Sequence, residues 1–264
     1  MLSSVFTKGL RDQWRSLLAW VVAVAAYALL IAAFYPTVAR SMAAVQDMAD
    51  KLPQALRDAF IGSDMTSAAG WLDTKLLSIM APVMFLVYAV GAGARSIAGE
   101  EEDGTLDLLL AQPVSRTRVA LEKYAVLVTG VALLTAALWA TLAVSAPAFT
   151  MHIGAGRLLE GCFSVGLLTL AFGSVAFLVA AAGGRRGLAA GAAGGLAGAM
   201  YLVNILAPEA GVLQRLEPLS LFHYYGVAPL TEGLPASHAA VFVVISLVCL
   251  GVALVAFGRR RCAW

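Results

Sequence analysis

Charged residues are scarce in this sequence. Only 13% of its 264 residues are Asp, Glu, Lys or Arg, whereas 61% are hydrophobic. Soluble domains carry about 25% charged and about 45–50% apolar residues. Both departures exclude an ordinary soluble domain and indicate a polytopic membrane protein. The formal net charge of +2 is too small to indicate a nucleic-acid partner.

The residue patterns of common catalytic and metal sites are also missing. His152, His223 and His238 have no His or Glu partner at the spacing of metal ligands. The sequence has neither a Gly-x-Ser-x-Gly nucleophile motif nor the phosphate loop of P-loop ATPases. The three cysteines show no metal or redox spacing. We therefore expect no catalytic site, no metal site and no cofactor bound by this chain.

Six apolar runs are each long enough to cross a bilayer as a helix, which needs about 20 residues. Continuous runs of this length exclude the alternating pattern of a membrane β-barrel. No charged residue occupies the middle of any run, which disfavours an ion- or proton-coupled transporter because such proteins need charged relays. The predicted fold is all-α, a single transmembrane domain of residues 1–264. Its spans are residues 16–35, 76–94, 125–146, 158–182, 188–206 and 238–257.

The distribution of Lys and Arg predicts how these spans are oriented. With a cytoplasmic N terminus, twelve of the 18 Lys and Arg residues fall in inner segments. The short flanks 185–186 and 259–261 are purely basic. The positive-inside rule therefore predicts that both termini are cytoplasmic. It also places residues 99–116 in the cytoplasm, and residues 36–75 and 207–237 in outer loops.

Three segments outside the spans have a pattern of their own. Residues 1–15 fit an amphipathic helix on the membrane surface, although a solvated basic flank would show similar residues. The first outer loop has apolar residues at helical spacing between 45 and 60. Residues 207–237 combine four prolines with many leucines and aromatic residues, which predicts a re-entrant or interfacial segment before the last span.

The fifth span is rich in glycine at four-residue spacing. Small residues at this spacing let helices approach closely in lipid. Two interpretations remain open: a seam between two copies of the chain, or packing within one subunit. The candidate seam residues are Gly187, Gly191, Gly194, Gly195 and Gly198.

The most distinctive segment is the charged stretch 99–116 between the second and third spans. Four consecutive carboxylates, residues 100–103, precede Gly104. Thr105 can cap a short helix whose first turn holds Asp107. An apolar stripe follows at helical spacing, and Pro113 ends the element. The stripe consists of Leu106, Leu109 and Leu110. We expect a partner to bind this segment.

Residues 97–116, together with Lys123, resemble the corresponding segment of ABC-2 type transporter permeases. The family typically shows a Glu, a charged pair, Gly-Thr, a leucine pair, Pro-Val/Ile-Ser-Arg and a downstream Lys. The sequence departs from this pattern in having three further acidic residues where a basic residue often follows the first Glu. The matching residues are Glu100, Gly104, Thr105, Leu106, Leu109, Leu110, Pro113, Ser115, Arg116 and Lys123.

The resemblance implies a permease subunit of an ATP-binding cassette exporter, in the plasma membrane of a bacterial cell. The apolar, uncharged spans suit a hydrophobic or amphipathic substrate. The resemblance also implies that a separate ATPase subunit binds ATP and Mg, that a second copy or a homologous permease completes a dimer, and that segment 99–116 is the coupling helix. The alternative is a scaffold or mechanotransmitting subunit that carries no substrate. The implied ATPase-docking residues are Glu100, Glu101, Glu102, Asp103, Gly104, Thr105, Leu106, Asp107, Leu109, Leu110, Pro113, Ser115 and Arg116.

Overall fold

The computed structural model describes residues 5–49, 67–104, 115–183, 185–207, 215–226 and 229–259. Every regular element within these ranges is a helix, which confirms the predicted all-α fold. Six helical stretches of the described residues are long and apolar enough to cross a membrane, and each coincides with one of the six predicted spans to within one residue or contains it. The described helices share one hydrophobic core.

The described residues form nine α-helices. They are α1 Val5–Ala49, α2 Ala68–Leu72, α3 Met80–Glu102, α4 Arg116–Ala148, α5 Ala155–Ala181, α6 Arg186–Leu206, α7 Leu221–Tyr225, α8 Pro229–Glu232 and α9 Ala236–Arg259. A π-helical turn, Asp73–Leu77, follows α2, and a 3₁₀ turn, Glu217–Leu219, precedes α7. The candidate membrane-spanning stretches are α1, α2 with α3, α4, α5, α6 and α9.

Helix α5 is the centre of the bundle. In its most apolar stretch of 18 residues, 72% of the residues are buried, whereas the corresponding share is 17% in α1 and in α6. It packs against α3, α4, α6 and α9. The contact with α3 is especially close, because a Cβ added at Gly93 would overlap the carbonyl oxygen of Gly173. Two glycines thus let the backbones of α3 and α5 approach each other.

Helix α1 corrects two expectations about the N-terminal third. Residues 5–15 do not form a separate surface helix; they are the first turns of the same 45-residue helix that contains the first span. No proline interrupts this part, and it packs on α4, where Gly9 lies against Val126. The helix also runs through Pro36 to Ala49, so the predicted outer loop does not begin at residue 36. Proline is tolerated in such helices when neighbouring groups satisfy the backbone.

The bundle has two ends, each of which we name by one carboxylate. The Glu100 end holds the last turn of α3 and the first turns of α1, α4 and α6. The Asp73 end holds the π-helical turn and the short helices α7 and α8. Residues of α7 and α8 are buried here, which agrees with the expectation that segment 207–237 is not a free loop. These residues are Leu221, Phe222, Tyr225 and Leu230.

Candidate functional site

The acidic residues before Gly104 form the last turn of α3. The helix ends at Glu102, Asp103 caps it, and Gly104 takes a left-handed conformation with φ of 68°. Carboxylates at a helix C terminus are unfavourable because the helix dipole is negative there. These side chains therefore need donors from neighbouring elements, and the structure supplies them.

Glu100 forms an ion pair with Lys123 of α4. The Nζ atom of Lys123 lies 2.6 Å from Oε2 of Glu100, and it also donates to the carbonyl oxygen of Ser96 at 2.7 Å. The Lys123 side chain is 8% exposed and that of Glu100 is 20% exposed. The pair joins the end of α3 to the first part of α4. The sequence singled out both residues but did not predict their pairing.

Glu102 joins the end of α3 to α6. Its Oε1 atom accepts a hydrogen bond of 2.9 Å from the backbone N–H of Arg186, the first residue of α6. The N-cap residue Arg185 provides no side-chain cap. A carboxylate at this position is stabilised by the positive end of the helix dipole. Glu102 thus substitutes for the missing cap and fixes α6 to α3.

Glu122 of α4 performs the same task for α1. Its Oε2 atom accepts a hydrogen bond of 3.0 Å from the backbone N–H of Phe6, in the first turn of α1. Its Oε1 atom lies 2.9 Å from Nε of Arg118. No sequence motif marks a carboxylate that caps a helix distant in sequence, so neither the role of Glu122 nor the pairing of Glu102 could be predicted.

A polar cavity of about 530 Å³ lies among these junctions. Lys8 and Asp12 of α1 face it, as do Arg95 of α3 and Lys123 of α4. Charges of both signs line it, so it favours water and rearrangement of ion pairs over a dry contact. Within the described ranges, no group of three or more His, Cys, Asp or Glu side chains could hold a metal ion.

Apart from Glu100 and Glu102, whose partners are given above, the predicted coupling residues divide into three groups. Glu101, Asp103 and Gly104 are exposed at the tip of α3. At the other side of the segment, Oγ of Ser115 accepts from the backbone N–H of Arg118 and so caps α4, whose first residue is Arg116. The remaining predicted residues lie outside the described part of the chain. They are Thr105, Leu106, Asp107, Leu109, Leu110 and Pro113.

The candidate seam glycines of α6 are exposed in the described part of the subunit. Helix α6 buries only alanines, namely Ala189, Ala193 and Ala197. A Cβ added at any of the five candidate seam glycines would meet no atom within 4 Å. These positions therefore do not pack within the described part of the subunit, and the seam between two copies stays a prediction. The five are Gly187, Gly191, Gly194, Gly195 and Gly198.

An apolar groove of about 430 Å³ runs between α3 and α6. Its α3 wall includes Pro82, Val83 and Leu86, and its α6 wall includes Gly194 and Gly198. The sequence could not predict this groove, because it depends on how far apart α3 and α6 stand. The glycine face of α6 and the groove together form a continuous apolar surface.

The comparison with protein families agrees with this architecture. The family described as ABC-2 family transporter protein matches residues 3–261, which is nearly the whole chain. The search among curated proteins found no match to this sequence. The six apolar spans, the acidic junction at the end of α3 and the near-complete family match lead to one conclusion: the chain is a membrane-embedded permease component that belongs to the ABC-2 family of transporter proteins.

Proposed function

We propose that this chain exports a hydrophobic or amphipathic substrate, driven by ATP hydrolysis on a separate ATPase subunit that binds ATP and Mg. Family membership supports the transporter role. The observation that carries the proposal is the junction of Glu100 and Lys123. It joins the end of α3 to the second turn of α4, the two helices that the segment 105–114 connects in sequence. Force applied to that segment therefore reaches α3 and α4 together.

The predicted residues have different roles in the proposed docking surface. The leucine stripe of segment 105–114 binds the groove of the ATPase, and the exposed carboxylates of Glu101 and Asp103 form its polar rim. Glu100 faces the bundle and joins the end of α3 to α4 through its ion pair with Lys123. Glu102 carries the displacement to α6, because it bonds the first N–H of that helix.

A second permease copy, identical or homologous, completes the transporter. The glycine face of α6 supports this proposal, because its glycines leave room for a close approach in lipid. The neighbouring groove between α3 and α6 is almost purely apolar, which suits an apolar part of the substrate. Closure of the groove by the second copy would separate that substrate from the lipid.

The orientation follows from the basic residues. Lys8, Arg118, Lys123, Arg186 and Arg259 all lie toward the Glu100 end of the bundle. We infer that this end and both termini are cytoplasmic, as the positive-inside rule requires. The chain is then a multi-pass protein of a bacterial plasma membrane, with the Asp73 end outside.

Co-purification with the candidate ATPase tests the docking surface. The variant Leu106→Lys/Leu109→Lys should lose the ATPase and ATP-dependent transport, because two ammonium groups would be forced into an apolar contact. Arg259→Ala, a change of an exposed residue at the same end of the bundle, is the control and should retain both. Equal ATPase recovery with all three proteins would refute docking through the leucine stripe. If the unaltered chain associates with the ATPase but the complex transports none of the tested substrates, the mechanotransmitting alternative is favoured.

A further inference from the structure

The four-residue helix α8 is held at the Asp73 end by a buried carboxylate. Oδ1 of Asp73 accepts from the backbone N–H of Leu230 at 2.9 Å. Oδ2 accepts from the backbone N–H of Thr231 at 3.1 Å and from its hydroxyl at 2.9 Å. Asp73 is only 2% exposed. Three charge-assisted hydrogen bonds therefore converge on one side chain that is shielded from water.

A second charged residue, Arg157, also contacts α8. Nη1 of Arg157 in α5 donates to the carbonyl oxygen of Thr231 at 3.2 Å. Arg157 is exposed, so water competes with this hydrogen bond. The carboxylate of Asp73 binds the N–H groups of α8 and the guanidinium of Arg157 binds a carbonyl group, which matches the direction of the backbone dipoles. Of the two contacts, the buried one of Asp73 is the stronger.

The π-helical turn gives Asp73 its position. Single π turns inside helices are often found at functional sites. The same turn receives α7, because the hydroxyl of Tyr225 donates to the carbonyl oxygen of Leu77 at 2.6 Å. Burial, together with the charge of Asp73, raises the pKa of Tyr225 well above its usual range, so the phenol stays a donor. Both short helices are thus attached to one turn.

The side chain of Leu230 packs α8 against α5. It is 2% exposed and fits against Gly161 of α5, where an added Cβ would lie 2.7 Å from its Cδ2 atom. Helix α8 therefore covers the ends of α2, the π-helical turn and α5 with which it packs. It can leave this position only if the hydrogen bonds of Asp73 break.

One apolar stretch of 35 residues, Ala68–Glu102, carries Asp73 near one end and Glu100 near the other. It is bent between the π-helical turn and α3, where Ile79 has a φ of −132°. A displacement that begins at Glu100 would therefore reach the π-helical turn of Asp73 through α3. We propose that Asp73 is the positioning residue of a latch, formed with Leu230 and Thr231, that holds α8 over the Asp73 end and releases it during the ATP-driven cycle. The release step rests on the proposed function.

Cysteine labelling in the complete permease–ATPase complex tests the latch. A single Leu230→Cys is placed in a background with Cys162, Cys249 and Cys262 replaced by Ala, and is labelled with a membrane-impermeant maleimide. We expect slow labelling at rest and faster labelling during ATP turnover. Asp73→Asn should speed labelling at rest by at least about tenfold, because each lost charge-assisted bond shifts an opening equilibrium by roughly an order of magnitude. The asparagine keeps one acceptor oxygen, and its NH₂ group replaces the oxygen that accepts from the N–H of Thr231.

Two further variants protect this test against a folding defect. Thr231→Val removes one of the three hydrogen bonds and keeps the carboxylate, so it should give an intermediate labelling rate. Arg157→Gln removes the exposed contact and should change the rate little. The latch would be overturned if folded Asp73→Asn and Thr231→Val were both labelled at the parent's rate. It would also be overturned if ATP turnover left the parent's labelling rate unchanged. Loss of ATPase co-purification would instead refute the proposed function, and the comparison at rest would still decide whether Asp73 holds α8.

Discussion

Replacing Glu100 by Gln leaves the ammonium group of Lys123 buried without its carboxylate. Breaking a buried ion pair by removing one partner costs about 3–5 kcal/mol. The Glu100 side chain keeps 20% of its surface exposed, and the carbonyl oxygen of Ser96 still accepts from Lys123. The amide oxygen of Gln can also accept a hydrogen bond. We therefore expect the lower part of this range, a loss of about 3 kcal/mol in the free energy of unfolding.

The opposite substitution should cost less. Lys123→Met places an apolar side chain at a position that is 8% exposed, which its thioether fills without a charge. The carboxylate of Glu100 is then left at a partly hydrated site, so we expect a loss of about 1 kcal/mol. The double variant, Glu100→Gln/Lys123→Met, contains no unpaired charge and should lose about 1 kcal/mol as well. The two changes are thus strongly non-additive, since both alter one contact.

Unfolding of the purified chain in detergent, followed by helical circular dichroism as dodecyl sulfate is added, measures these differences. Glu101→Gln is the matched control, because Glu101 is exposed on the same turn of α3. Its effect should stay within about 0.5 kcal/mol, as for most surface changes. A double variant whose loss equals the sum of the single losses would refute the ion pair as a stabilising junction. So would a Glu100→Gln variant that is as stable as the control.

Three further outcomes follow from the packing of the helices. Gly93→Val should destabilise the subunit by more than about 2 kcal/mol in the same unfolding assay, because its side chain would overlap the backbone at Gly173. Gly191→Leu should leave that stability unchanged, since it points into open space, yet should lower the dimer fraction in chemical cross-linking. Glu122→Gln should weaken the bond to Phe6 and speed amide hydrogen exchange in the first turn of α1, with less than about 1 kcal/mol of global loss.

The sequence was sufficient to predict the spans. Long apolar runs separated by charged or proline-rich segments determine where a chain can cross a membrane, and all six appear as helices. Helix ends were less accurate, most clearly in α1. That helix passes Pro36 and also includes the residues predicted as a separate surface helix. Local sequence gives no signal for this continuity, which depends on packing of its first turns against α4.

Contacts between distant residues could not be predicted from the same patterns. Glu100 and Lys123 both belong to the family motif, but nothing in their spacing shows that the side chains meet. Asp73 was one of several carboxylates in a predicted outer loop. Its donors lie more than 150 residues later in the chain, at Leu230 and Thr231. Only the fold brings such groups together, and burial then makes their interaction strong.

The distribution of polar contacts explains how α3 can transmit motion. Its middle packs on α5 through Gly93 and Gly173, with no side chain between the backbones to deform. Tightly packed interfaces of this kind shift between discrete arrangements rather than bend continuously. The polar contacts are concentrated instead at the two ends, where hydrogen bonds can be exchanged for water. A push at Glu100 is therefore expected to move α3 as a body toward the π-helical turn that precedes it, and the contact between Asp73 and α8 lies at that turn.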